Sequence, residues 1–163
     1  MNTKHNVVSV IRKPRRKHKT SITLPSVPSQ QFELIDSIQQ LLHAISIHSI
    51  LQTELIHCGF ENASLTQQDR IAIYLIVRAQ IRSILLYRKV GSVSIHLAKN
   101  HEMVAIVIED NGRCTDVEKL RNTRDLKIIQ NLVTYHKGKS SISAEEGGTV
   151  LEVLLKVLDR NPY

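Results

Sequence analysis

Residues 103–114 read MVAIVIEDNGRC, an apolar run that stops at an acidic, glycine-containing turn. Val104, Ile106 and Ile108 alternate with Ala105, Val107 and Glu109, which predicts a strand, and because nearly all of these are apolar both of its faces are expected to be covered. It ends at Asp110. A carboxylate at the mouth of a buried strand, followed by Asn111 and Gly112, can aim a rigid acceptor at a ligand while the glycine permits a close backbone approach. The same residues also suit an ordinary Asx-type turn that closes a strand. The flanking sequence has to decide between these readings.

Upstream, Phe32, Ile35, Ile38, Leu41, Leu42 and Ile45 recur at three and four, predicting an amphipathic helix from Gln30 onward. Residues 50–58 alternate imperfectly and read as a strand, with a loop over 59–65. Thr66 suits a helix N-cap and Asp69 the first turn of the long helix that follows, whose Ile71, Tyr74, Leu75, Val77, Ile81, Ile84 and Leu85 form a face broad enough to pack on a sheet. Gly91 is expected to stop it. Residues 92–98 and 103–109 read as a hairpin across the polar turn 99–102. Residues 115–124 are polar and expected to be loose. Leu126, Ile129, Leu132 and Val133 predict a short helix ended by Lys137 and Gly138, and a second hairpin pairs 140–144 with 149–157. Helices gathered on one side of such strands make an α/β fold, a two-layer α/β sandwich with a mixed, largely antiparallel sheet. The other sheet face is then covered by whatever else is available or open to a partner.

The length of 163 residues and 42% hydrophobic content suit one compact domain, placed at 30–163, preceded by a basic arm at 1–29. No apolar run is long enough to span a bilayer, and the apolar residues 6–11 lead into a basic block instead of a cleavage site, so a cytoplasmic location is expected. The two cysteines, Cys58 and Cys114, lack CxxC spacing and are expected to be free, buried or half-buried thiols. His43, His48 and His57 share no helical face and form no HExxH arrangement, which reads as scattered histidines. Much of the net charge of +7 sits in residues 12–19, RKPRRKHK, followed by Pro25 and Pro28. Like charges repel there and prolines lack a donor, so an extended or poorly ordered arm is expected. It is either a solubilising tail or a patch that touches an anionic partner, binding phosphate weakly and with strong salt dependence.

Three stretches carry a resemblance: the long helix RIAIYLIVRAQIRSILLYRK followed by VSIHL, the strand and turn VAIVIEDNGR, and the closing IIQNLVTYHKGKSSISAEEGGTVLEVLLKV. Together, from around Phe32, they resemble the ATP-binding domain of sensor histidine kinases, the Bergerat fold of the larger GHKL family with Hsp90, gyrase and MutL-type ATPases. The subgroup most similar is the one whose kinases feed response regulators with helix-turn-helix outputs. The resemblance implies that Asp110 accepts a hydrogen bond from an adenine amino group, that Gly112 lets the base approach, and that Thr149 fixes the aspartate and an ordered water. It places Ala79 and Ser83 where the family has a glutamate and the asparagine that holds magnesium. Alanine offers that ion no oxygen, and serine only a neutral hydroxyl. Cys114 replaces the second glycine of the adenine turn. Asp125, in residues 123–126 (TRDL), stands where a phosphate-cradling glycine is expected, and a carboxylate there repels phosphate unless Arg121 or Arg124 offsets it. ATP or another adenine nucleotide is thus expected to bind weakly, through its base end, with magnesium poorly supported. No phosphoacceptor is expected in this chain, since neither His43 nor His48 has an acidic neighbour to act as base.

The function this implies is a stand-alone histidine kinase-like ATP-binding domain with degenerate magnesium and phosphate motifs. It would be a non-catalytic binding or regulatory module in two-component-type signalling, with a sensor kinase or response regulator as partner. One alternative is an active ATP-binding kinase or ATPase module working in trans. Another is a basic nucleic-acid-binding protein that uses Arg12, Arg15, Arg16, Lys17 and Lys19.

Overall fold

A computed structural model describes residues 33–60, 65–87, 89–113, 116–145 and 147–157. The expected arm at 1–29 and Cys114 lie outside these residues. The element order is α1 (Leu34–His48), β1 (Gln52–Cys58), α2 (Gln67–Tyr87), β2 (Ser92–Asn100), β3 (Met103–Asp110), α3 (Val117–Arg121), α4 (Arg124–Tyr135), β4 (Lys139–Glu145) and β5 (Gly148–Lys156). The strands form one sheet in the order β1-β2-β3-β5-β4. β1 and β2 run parallel, as strands joined by a helical crossover can, and every other pairing is antiparallel. The two-layer α/β sandwich is therefore the observed architecture.

Alternation assigns the faces. Val93, Ile95 and Leu97 of β2, Val104, Ile106 and Ile108 of β3, and Leu151, Val153 and Leu155 of β5 point into one core with Ile38, Leu41, Ile73, Val77, Ile81, Ile84 and Ile129 of the helices. The opposite face is not covered as the β3 sequence led us to expect: Ala105 and Val107 are only half-buried and Glu109 is exposed. Ile56 and Leu154, at 47% and 40% exposure, lie on that same open face. The small and branched residues of β3 there satisfy strand propensity without being buried, which is why periodicity alone misread them.

Two other expectations need correction. Residues 115–124 are not uniformly loose, because Asp116 Oδ1 accepts from the Lys119 N–H at 3.0 Å and nucleates α3. Cys58, the last residue of edge strand β1, is an exposed free thiol rather than a buried one. Smaller shifts occur at element ends: β1 begins at Gln52, whose N–H donates to the Gly91 carbonyl at 2.9 Å, and α2 ends at Tyr87, before Gly91.

The helix layer is tied at both ends. Thr66 and Asp69 exchange bonds at the start of α2, with the Thr66 N–H donating to Asp69 Oδ2 at 3.1 Å and the Asp69 N–H to Thr66 Oγ1 at 3.1 Å. Asp69 Oδ1 also lies 3.4 Å from Nδ1 of His136, the C-cap of α4. At the other end, Arg82 of α2 lies 3.6 Å from Asp125 in the first turn of α4. The two helices are thus antiparallel, with an acid–base pair at each end of their contact. Among the described residues, no helix is long and apolar enough to cross a membrane.

Candidate functional site

Asp110 is the last residue of β3 and faces the core, paired across the sheet with Val93 on one side and Thr149 on the other. Its carboxylate is 6% exposed as a residue, and Thr149 only 1%. Thr149 Oγ1 donates a short hydrogen bond to Asp110 Oδ2, and the Gly112 N–H donates to Oδ1 at 2.9 Å. The carboxylate is thereby fixed in direction. Asn111 holds the turn from the other side, its Oδ1 accepting from the N–H groups of Gly91 at 2.9 Å and Ser92 at 3.0 Å. The Asx-type turn is observed, since the Gly112 N–H bond to Asp110 Oδ1 closes the strand and also orients the carboxylate.

Two glycines are required by the packing around Asp110. A Cβ at Gly112 would fall 2.5 Å from Val90 Cγ2 and 3.0 Å from Asp110 Oδ1, so this position is glycine already for internal packing. Gly148 has φ +150°, and a Cβ on it would collide with the Asp110 carbonyl oxygen. An open cavity of about 450 Å³ lies at the same sheet end, but Glu54, Ser94 and Glu109, which line it, are in register on the outer face, opposite the side to which Asp110 turns.

Lys89 and Val90, which follow α2, border the space beside Gly112. Within α2 itself Ser83 and Gln80 are fully buried at 0% exposure, and among the described residues neither the Ser83 hydroxyl nor either end of the Gln80 amide has a hydrogen-bond partner. Leaving such groups unpaired costs about 1–3 kcal/mol each. Ala79, at 7% exposure, offers no polar atom. Gln80 was not singled out from the sequence, although a glutamine set among Ile73, Ile76, Val77, Ile81 and Ile84 on a buried face is a signal periodicity could have found.

Asp125 was expected to be offset by Arg121 or Arg124. The structure assigns that role elsewhere: Arg121 pairs with Glu118 at 2.5 Å, and Arg82 faces Asp125. Asp125 is buried at 2% exposure, within the first turn of α4, where the helix N-terminus favours negative charge. An internal carboxylate and its arginine thus take the place in which an anion would meet this helix. Thr123 caps α4 beside it, Oγ1 accepting from the Leu126 N–H at 3.3 Å.

One titration is displaced in this layer. Burial pushes the Tyr74 hydroxyl above its ordinary value, and nearby Arg78 partly counters that rise. Among the described residues, no cluster of three or more His, Cys, Asp or Glu side chains is placed to hold a metal ion.

A parallel pair bridged by a long helix, an antiparallel extension, and an aspartate-threonine pair at the open end of the sheet define a histidine kinase-type α/β sandwich. The solved structures agree. The chain superposes on histidine kinase AdeS of Acinetobacter baumannii with a TM-score of 0.59 at 16% identity, covering 78% of this chain and 64% of that one. For the histidine kinase domain of a blue-light-activated kinase from Erythrobacter litoralis the values are 0.61 and 13%, over 82% of this chain and 70% of the other. The ATP-binding domain of PrrB from Mycobacterium tuberculosis gives 0.59 and 17%, over 78% and 96%. No family model matches the chain, and no curated protein matches it. The chain has the fold of histidine kinase ATP-binding domains, and it spans 64% of the length of the AdeS chain.

Proposed function

We propose that this protein is a non-catalytic relative of the histidine kinase ATP-binding domain that acts by binding in two-component-type signalling, with a sensor kinase or response regulator as partner. The observation that carries this reading is the buried Asp125 facing Arg82 at the N-terminus of α4. A triphosphate entering there would meet a carboxylate, and Arg82 is already engaged with it. The magnesium end is no better provided, because Ala79 has no ligand atom and Ser83 only a hydroxyl. The base end is different: Asp110, held by Thr149 and Gly112, keeps a directed acceptor of the kind an adenine amino group needs. Residues for the base fit an adenine compound, whereas those at the metal and phosphate end do not fit a magnesium triphosphate. No phosphoryl-transfer step is therefore assigned to this chain.

The test is a thermal-shift titration of the whole chain with ATP, ADP and adenosine, with and without magnesium. Adenosine should raise Tm, with phosphates and magnesium adding nothing. Magnesium-dependent stabilisation by ATP at micromolar concentration would instead support an active module working in trans. Capture of a cognate sensor kinase or response regulator should be independent of nucleotide. A nucleic-acid role rests on Arg12, Arg15, Arg16, Lys17 and Lys19, which lie outside the described residues.

A further inference from the structure

The outer face of the sheet carries a charge pattern of its own. Register places Glu54 and Glu109 in one cross-strand row, Ile56, Val107 and Glu152 in the next, and Cys58, Ala105 and Leu154 in the third, with Lys139 at its far edge. Carboxylates therefore gather toward one end of the face and apolar side chains toward the other, where Ile56 and Leu154 are 47% and 40% exposed. Among the described residues no cation pairs with any of the three carboxylates, and Glu152 accepts one hydrogen bond, from Ser141 Oγ at 2.9 Å. Two open cavities lie on this side, one of about 450 Å³ beside Glu54 and Glu109 and one of about 460 Å³ beside Val107, Glu152 and Leu154. A segment that covers such a face has to bring apolar side chains and cations together.

We propose that residues 6–19 of this same chain, NVVSVIRKPRRKHK, dock on the outer sheet face, with Val7, Val8, Val10 and Ile11 against the apolar rows and the cations of 12–19 toward Glu54, Glu109 and Glu152. Charge selects this occupant first. Residues 1–29 hold seven Lys and Arg and no Asp or Glu, so the net charge of +7 resides there and the rest of the chain is balanced. The order of residue types fits as well: residues 6–11 are uncharged and suit the end of the face that already holds Lys139, whereas the six cations of 12–19 suit the end that holds unpaired carboxylates. Reach is also sufficient. Glu33, the first described residue, lines a small cavity together with Phe60, which follows the end of edge strand β1 by two residues, so the chain enters the fold at the Cys58 end of that edge. The 13 residues between Lys19 and Glu33 can span at most roughly 45 Å. The five strands are about 20 Å across, so the segment has only to round the open β1 edge. Exposed ion pairs are individually weak, but several of them on a tethered segment act at high effective concentration, which favours this segment over a second copy or a separate partner.

The experiment uses the whole ¹⁵N-labelled chain with Cys114→Ser, so that a nitroxide attached through sulfur sits on Cys58 alone, exposed at the end of β1. The amide signals of Val7, Val8, Val10 and Ile11 should lose intensity by about twofold or more relative to the reduced, diamagnetic sample, and should recover in about 1 M salt, where charges are screened within about 3 Å. Combining Glu54→Lys, Glu109→Lys and Glu152→Lys should restore the same signals at low salt, while unmoved signals from buried Ile81 and Ile106 report that this variant is folded. Full intensity at Val7, Val8, Val10 and Ile11 before any charge is changed overturns the inference and leaves the face to a separate macromolecule. Equal loss when spin-labelled chain without ¹⁵N is mixed with ¹⁵N chain without nitroxide gives the face to a second copy and also overturns it. Loss that persists both in high salt and in the folded triple variant overturns it as well, because the cations would then have no part in placing the segment.

Discussion

Arg82 and Asp125 are unequal partners, the arginine side chain 48% exposed and the aspartate 3%. Removing the arginine leaves a buried carboxylate supported only by its helix terminus, so Arg82→Ala should destabilise the protein by about 1–3 kcal/mol, less than for a fully buried pair because solvent screens the exposed partner. Denaturant unfolding measures this, and the same change in an Asp125→Asn background should cost clearly less, as a double-mutant cycle would report. Asp125→Gly should act in the opposite functional sense. It removes the internal anion and frees Arg82, so ATP should gain affinity relative to adenosine, and calorimetry that finds the ratio unchanged would remove Asp125 as the cause of discrimination. Tyr74 yields a pH prediction. Its raised pKa means that the native state keeps a proton that the unfolded chain loses near the ordinary value of 10.0. The associated stability is complete below that pH and is lost as pH rises through the native value. Stability should therefore fall more steeply above pH 10 in the wild type than in Tyr74→Phe, as read from urea midpoints across the alkaline range.

Among the elements, α4 depends on local and remote supports that differ in how easily sequence reveals them. Thr123 caps it through the Leu126 N–H, and Thr123→Ala should cost about 1 kcal/mol. Ile129 is fully buried in its packing face, and Ile129→Ala should cost about 2–5 kcal/mol in the same assay. The apolar face of α4 was legible from its spacing, as were the long α2, both hairpins and the turn at Asp110, because each of these is written in neighbouring residues. Asp116 could have revealed α3 in the same local way, but the polar composition around it was given more weight than its capping position. The partners of Asp125 and Asp69 were not legible: Arg82 and His136 lie far away in the chain, and only the antiparallel crossing of α2 and α4 brings them close. Nearest-neighbour reasoning assigned Asp125 to Arg121 or Arg124 for that reason. Resemblance supplied the pairing of Asp110 with Thr149, which spacing could not, and it was silent on the burial of Gln80.

At the level of the whole molecule, the decisive feature is that helices and sheet share one apolar cluster, running from Leu34 and Ile38 of α1 through α2, α3 and α4 to the inner faces of β2, β3, β4 and β5. The outer sheet face contributes little to it, so no second core exists among the described residues that could stay folded once the first is breached. Unfolding should accordingly be a single transition, with backbone circular dichroism and near-ultraviolet tyrosine signals coinciding at one midpoint. Ile38→Ala, in the helix that opens the described fold, offers the sharpest check because Ile38 is fully buried although α1 carries none of the site residues. It should shift both signals together, by about 2–5 kcal/mol, and should leave adenosine affinity at low denaturant unchanged. A biphasic curve in which α1 melts first, while the tyrosine signal keeps the wild-type midpoint, would mean that the site is supported by α2, α4 and the sheet alone.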